Sequence, residues 1–245
     1  MNKLRSLSIL CILCGFTNML LAAASDDNEI NITQTGDTLT LYIDQVGYGN
    51  KIGLDNFDSS SSAMPITGTS LTFNIDQIGN SNLLYGKVTA DSSSYTLEWT
   101  GDDNVWDWMI GETGDSDSSN YLVDITGDSN TMDLDQGSLA SAARLDFDLT
   151  VLGSSNVFDV DIETNDATWN FDVTGASNNI NTLQKDANYQ SLTMELNGDS
   201  ADVDINQISG TCPTGINTCK GIITLDITSD NSTIQINQKD TTTDS

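Results

Sequence analysis

A short turn motif, glycine followed by two small or polar residues and an asparagine, recurs along the chain and leaves few folds open to it. It reads GYGN at 47, GNSN at 79, GDDN at 101, GDSN at 127, GSSN at 153 and GASN at 175. Degenerate copies, GDSA at 198 and SDNS at 229, follow, and SDDN at 25 precedes them all. The nine starting points are separated by 22, 32, 22, 26, 26, 22, 23 and 31 residues. A unit of about 22 residues with insertions of varied length is the behaviour of a solenoid, whose loops absorb insertions while the stacked body keeps its register.

Each side of the turn alternates apolar and polar residues with period two, which marks a strand with one buried face. Before the turn the apolar set is Leu39, Leu41, Ile43, then Leu71, Phe73, Ile75, then Tyr95, Leu97, Trp99, and the same parity continues to Ile223, Leu225, Ile227. After the turn it is Ile30, Ile32, then Ile52, Leu54, then Trp106, Trp108, Ile110, and so on to Ile234, Ile236. One strand-turn-strand unit cannot bury its apolar face alone. Stacking such units does so, and pairs the backbone of each with the copies above and below. The expected fold is all-β: a β-solenoid of about nine stacked strand-turn-strand rungs on a period of about 22 residues, roughly 40 Å tall. A β-sandwich also accommodates short alternating strands, but it has no reason to repeat one turn motif.

Amides hold fixed places in this pattern. Gln45 and Gln77 lie two residues before the turn glycine on the inward parity, and Asn28, Asn50, Asn82, Asn104, Asn130, Asn156 and Asn178 take the first inward position after it. Six residues beyond that column stand Gln34, Gln136, Gln184, Gln207 and Gln238, again inward. Identical amides stacked one rung apart can hydrogen-bond along the stack and satisfy one another at the corners of the core. Asparagine is also an ordinary turn residue. A glutamine column at fixed spacing is not explained that way.

Residues 1–24 stand apart from the repeat. Lys3 and Arg5 precede a mostly apolar run from Leu7 to Leu21, and Ala22, Ala23 and Ala24 supply small residues for cleavage, the pattern of a secretory signal peptide. The run is too short and too interrupted for an anchor, so no membrane attachment is expected after cleavage. The expected organisation is a signal peptide over 1–24, the solenoid over 25–238 and a C-terminal tail over 239–245. Without the signal segment, six basic residues face 36 acidic ones, a net charge of −30. Such a surface repels nucleic acid and anionic lipid. Secretion also makes an intraloop disulfide between Cys212 and Cys219, in CPTGINTC, more apt than a metal site.

The acidic residues are themselves patterned. Three residues before each turn anchor stand Asp44, Asp76, Glu98, Asp124, Thr150, Asp172, Glu195 and Asp226, an outward line of seven carboxylates and one threonine. Neighbouring like charges at rung spacing repel by about 1 kcal/mol per pair in water. Monovalent counterions or divalent cations such as calcium bridging the rungs both answer that repulsion. The stretch GDSNTMDLD at 127–135 superficially matches calcium-binding β-roll repeats, but it lacks their double glycine and nine-residue period. Histidine is absent, the only arginine outside the signal is Arg144, and the carboxylates are spread instead of clustered, so no acid–base pair can be nominated and no enzyme is expected.

The pattern QxGxxNxxxxxQ on a unit of about 22 residues resembles the curlin repeat, the unit of bacterial curli fibre subunits. The resemblance spans 25–238 in outline. It is strongest at 39–56, through Gln45, Gly47 and Asn50, and at 71–88, through Gln77, Gly79 and Asn82. No single copy holds both glutamines, and long insertions fall at 57–68 and 208–220. The resemblance implies a secreted β-solenoid, exported unfolded, that polymerises end to end with copies of itself into cell-surface amyloid for adhesion and biofilm matrix. It implies no cofactor and no active site.

Overall fold

The computed structural model describes residues 29–30, 32–47, 50–53, 64–79, 81–101, 103–110, 118–136, 144–163, 166–187, 189–209 and 220–239. Every regular element among them is a strand. The N-terminal part holds β1 (Glu29–Ile30), β2 (Gln34–Thr35), β3 (Thr40–Val46), β4 (Lys51–Ile52) and β5 (Met64–Thr69). The middle holds β6 (Thr72–Ile78), β7 (Leu83–Asp91), β8 (Ser94–Thr100), β9 (Val105–Ile110) and β10 (Ser119–Gln136). Then come β11 (Leu145–Glu163), β12 (Asp166–Thr174), β13 (Ser177–Ala187), β14 (Tyr189–Ser209) and β15 (Lys220–Lys239). From β10 onward several strands run unbroken through the turn motif, so one strand supplies both sides of a rung.

All described pairings are parallel, and successive strands stack directly on one another as a β-solenoid. Segments before the turn form one face of the solenoid, here sheet A: β3, β6, β8, β12 and the first halves of β10, β11, β14 and β15. Segments after the turn form the opposite face, sheet B: β1, β2, β4, β5, β7, β9, β13 and the second halves of the same four long strands. The step between paired residues is not uniform. It is 22 residues for Glu29 to Lys51, 32 for Lys51 to Leu83, 26 for Val105 to Thr131 and 31 for Tyr189 to Lys220.

The core lies between the two faces, built by the inward residues of the alternation. One line of sheet A carries Leu41, Phe73, Tyr95, Tyr121, Phe147, Trp169, Leu192 and Ile223 in register. The rings of Phe73 and Tyr95 stack with centroids 5.0 Å apart, and those of Tyr95 and Tyr121 at 4.6 Å. From sheet B, Trp106 and Trp108 pack edge-on against this column, Trp106 on Phe147 at 6.1 Å and Trp108 on Tyr95 at 5.3 Å. Gly86, one rung from Trp108 in register, makes room for that indole, since a Cβ there would overlap it.

Two expectations require adjustment. The insertion placed at 57–68 is shorter, because β5 resumes pairing at Met64, stacking on Gly86–Asp91 of β7 and under Gln34–Thr35 of β2. Its Ile66 is buried, on the register line of Gln34 and Val88. The inward parity of Ile234 and Ile236 places them in the core, but they are 44% and 49% exposed, because among the described residues no further strand stacks on β15. Leu54, Asn28, Cys212 and Cys219, and with the cysteines the expected disulfide, lie outside the described residues.

Candidate functional site

The amides of the turn motif build the corners of the solenoid. Gln77 Nε2 donates to Gln45 Oε1 at 2.7 Å and to the Leu83 carbonyl at 3.1 Å, while Gln45 Nε2 donates to the Lys51 carbonyl at 3.0 Å. In the return direction, Asn50 Nδ2 donates to the Gln45 carbonyl at 3.2 Å and Asn82 Nδ2 to the Gln77 carbonyl at 3.3 Å. Each of these two corners is therefore closed by a reciprocal pair, glutamine side chain to the strand after the turn and asparagine side chain to the strand before it. Both amides are buried, so the bonds stabilise the turn by about 1 kcal/mol each, and breaking one leaves a buried polar atom at a larger cost.

The asparagines also bond along the stack: Asn82 to Asn50 at 3.3 Å, Asn104 to Asn82, Asn130 to Asn156 at 2.7 Å and Asn156 to Asn178 at 2.6 Å. The donors point toward the N-terminus in the first group and toward the C-terminus in the second. This close stacking is why the motif opens on glycine: a Cβ on Gly101 would overlap the Gly79 carbonyl oxygen and Asn82 Oδ1. Beyond Asn178 the register line passes to Ala201 and Ser232, and the ladder ends.

The glutamines divide between the two ends of the molecule. At the corner after sheet A, Gln45 and Gln77 are followed by Trp99, whose Nε1 donates to Gln77 Oε1, so an indole takes the place of the third amide. At the distal corner one register line carries Gln34, Ile66, Val88, Ile110, Gln136, Ile162, Gln184, Gln207 and Gln238. Only the last three are contiguous: Gln207 Nε2 donates to Gln184 Oε1 at 2.8 Å, and Gln238 Nε2 to Gln207 Oε1 at 2.7 Å. Gln136 turns instead to Ser119 Oγ at 3.3 Å, and Gln34 stacks on Ile66. Position alone therefore aligns the distal glutamines, while contact joins three of the five.

On the outer surface, Asp44, Asp76, Glu98, Asp124, Thr150, Asp172, Glu195 and Asp226 follow one another in register along sheet A. Burial, and then the charge of Asp44, raise the pKa of Asp76 above the usual carboxylate range. Sheet B carries a second, denser acidic array that the sequence reading overlooked. Asp107, Asp133 and Asp159 stand in one register line, and Asp135 and Asp161 in the line beside it. Burial first, and then Asp133 and Asp135, push Asp107 up to about 7; burial first, and then four neighbouring carboxylates led by Asp159, push Asp161 up to about 6. The signal was present in the sequence as an aspartate three residues after each of Asn104, Asn130 and Asn156.

Asparagine interrupts the Asp107–Asp133–Asp159 line before Asp204, and there the repulsion becomes a bond, Asn181 donating to Asp159 at 2.9 Å; on sheet A, Asn170 likewise donates to Asp148 at 2.7 Å. A cation relieves another, Lys185 pairing with Glu163 at 2.8 Å. Among the described residues, no three or more His, Cys, Asp or Glu side chains converge as a metal site would require, and no helix is long and apolar enough to cross a membrane.

The geometry defines a class: a parallel β-solenoid with amide-bonded corners, an aromatic core and acidic outer faces. No family model, curated protein or solved structure matches the chain.

Proposed function

We propose that this chain is a secreted structural subunit of a curli-like extracellular amyloid fibre, serving cell-surface adhesion and biofilm matrix. Each copy of the turn motif is one rung, nine in all, on a unit of about 22 residues lengthened by insertions. The observation that carries the reading is the state of β15. Among the described residues its 20 residues pair on one side only, with β14, and its inward Ile234 and Ile236 are exposed at positions that the rungs from β7 to β14 bury. A long edge strand with exposed apolar residues is a template for another chain. The partner that fits a solenoid end is the start of a second copy. The reading includes removal of residues 1–24, a Cys212–Cys219 bond closing the last insertion, and no catalytic role.

Acidity works against association. Like-charged copies repel, and salt screens that repulsion over about 8 to 10 Å at physiological strength. Divalent cations or mild acid are therefore expected to promote assembly. The carboxylate arrays also favour a second reading, a discrete acidic solenoid that binds cations or a surface without polymerising. Negative-stain microscopy of the refolded chain lacking residues 1–24, with and without calcium, separates the two. Fibres support the subunit reading; isolated particles under every condition support the discrete one.

A further inference from the structure

The two ends of the solenoid do not match by simple translation, and the mismatch prescribes how copies would join. The first described segment, β1 with β2, and the last, the second half of β15, both belong to sheet B. Among the described residues sheet A accordingly begins one rung later, at β3, and contributes one segment fewer. If a second copy were stacked by translation, β1 and β2 would land on the second half of β15. The first half of β15 and the incoming β3 would then face each other across a missing strand, about 10 Å apart at two strand spacings, and both edges would stay unpaired.

A half-turn about the solenoid axis removes the gap, and the corners permit it. Gln34-Thr35-Gly36 at the distal corner repeats Gln45-Val46-Gly47 at the other, eleven residues apart in the sequence. Gly36 and Gly47 have φ of 137° and 129°, and each donates its N–H one rung onward, to Thr67 O at 2.9 Å and Ile78 O at 3.0 Å. The two faces are thus interchangeable at the level of the turn. We infer that successive copies are related by a half-turn, with β3 of the incoming copy pairing on residues 231–239 and its β1 and β2 on residues 220–228. The inference rests on the fibre-subunit reading above.

In that register the incoming Gln45 stacks on Gln238, as Gln77 stacks on Gln45 within one chain, and Ile43 covers the exposed Ile236. The charges favour it too. The incoming Asp44 lands on Asn237, the asparagine-on-aspartate arrangement that already forms bonds at Asn170–Asp148 and Asn181–Asp159. Asp226 meets Thr33. The sheet A carboxylate line therefore stops at each junction instead of running into the next molecule, so like charges do not oppose docking there.

Cross-linking within fibres tests the geometry. In a background with Cys212 and Cys219 replaced by Ser, Asp44→Cys/Asn237→Cys and Thr33→Cys/Asn237→Cys are grown as fibres and treated with a short bis-maleimide. The half-turn predicts that the 44/237 protein is lost from the monomer band into covalent ladders and that the 33/237 protein is not. Ladders from 33/237 alone indicate translational stacking and overturn the inference, as do fibres that cross-link in neither variant. In each of those cases the fibre reading stands. If neither variant nor the parent chain forms fibres, the subunit reading itself falls.

Discussion

Trp106 and Ile234 stand on the same register line of sheet B, separated by Met132, Phe158, Ile180 and Val203, yet Trp106 is 1% exposed and Ile234 is 44% exposed. Both follow the same alternation. What differs is the neighbour: Trp106 has a rung on each side and Ile234 has one. In a globular core a residue's burial is set largely by the fold of its own chain, whereas in a stack of rungs the terminal residue depends on what stacks next. The aromatic middle is therefore a finished core and the last rung an unfinished one.

The largest expected effect sits at the finished end of that contrast. Trp106→Ala removes a fully enclosed indole that touches Trp99, Trp108, Tyr121 and Phe147, and should lower stability by about 3 to 5 kcal/mol in urea denaturation. Ile234→Ala on the same line should cost under about 1 kcal/mol in the monomer, because its surface is already wet. Equal losses at the two positions would mean that β15 is covered in the isolated chain.

A corner should rank next. Gln77→Leu deletes its bonds to Gln45 and to the Leu83 carbonyl and strands the Trp99 indole N–H, for a loss of about 2 to 3 kcal/mol measured the same way. Gln238→Leu, at the open end, should cost far less in the monomer.

The acidic array of sheet B predicts a pH dependence of intermediate size. Asp107 and Asp161 hold protons more tightly folded, at about 7 and about 6, than unfolded, where the reference is 3.8. The protonated fold is therefore fully favoured below pH 4, and stability declines as pH rises from about 4 to 7. Both side chains are partly exposed, so the decline is modest. The melting temperature should be higher at pH 5 than at pH 8, and Asp107→Asn should flatten that difference. A melting temperature that rises with pH contradicts this assignment.

The smallest effect on folding is expected at Ile236. Ile236→Ser should leave the monomer's melting curve nearly unchanged while slowing fibre growth followed by thioflavin fluorescence, since it roughens the surface offered to the next copy and nothing else.

Much of this architecture was legible in the residues. The inward parity, the turn glycine and the line from Asp44 to Asp226 are strictly local in period, and parallel stacking preserves local period from rung to rung. What escaped depends on which rung neighbours which. The distal glutamines occupy one line, but Ile66, Val88, Ile110 and Ile162 interrupt it, so whether Gln136 bonds to an amide or to Ser119 is set by its vertical neighbours. Trp99 takes the place of a third glutamine because an indole N–H serves the same acceptor, a substitution that a search for amides passes over. Gln190, buried between Ala167 and Gly221, lies outside any glutamine column and was invisible for the same reason. The exposure of Ile234 and Ile236 follows from β15 having β14 as its one neighbour among the described strands, which alternation within that strand cannot announce.

The central claim is that β15 is completed by a second copy, and amide hydrogen exchange across Lys220–Lys239 tests it most directly. In the monomer, the amides of β15 that face away from β14 should exchange within the dead time of the experiment, while those of Tyr121–Met132 stay protected. In assembled material the same β15 amides should become as slow as the middle. Protection of β15 already present in the monomer, or fast exchange persisting in the fibre, would contradict the account.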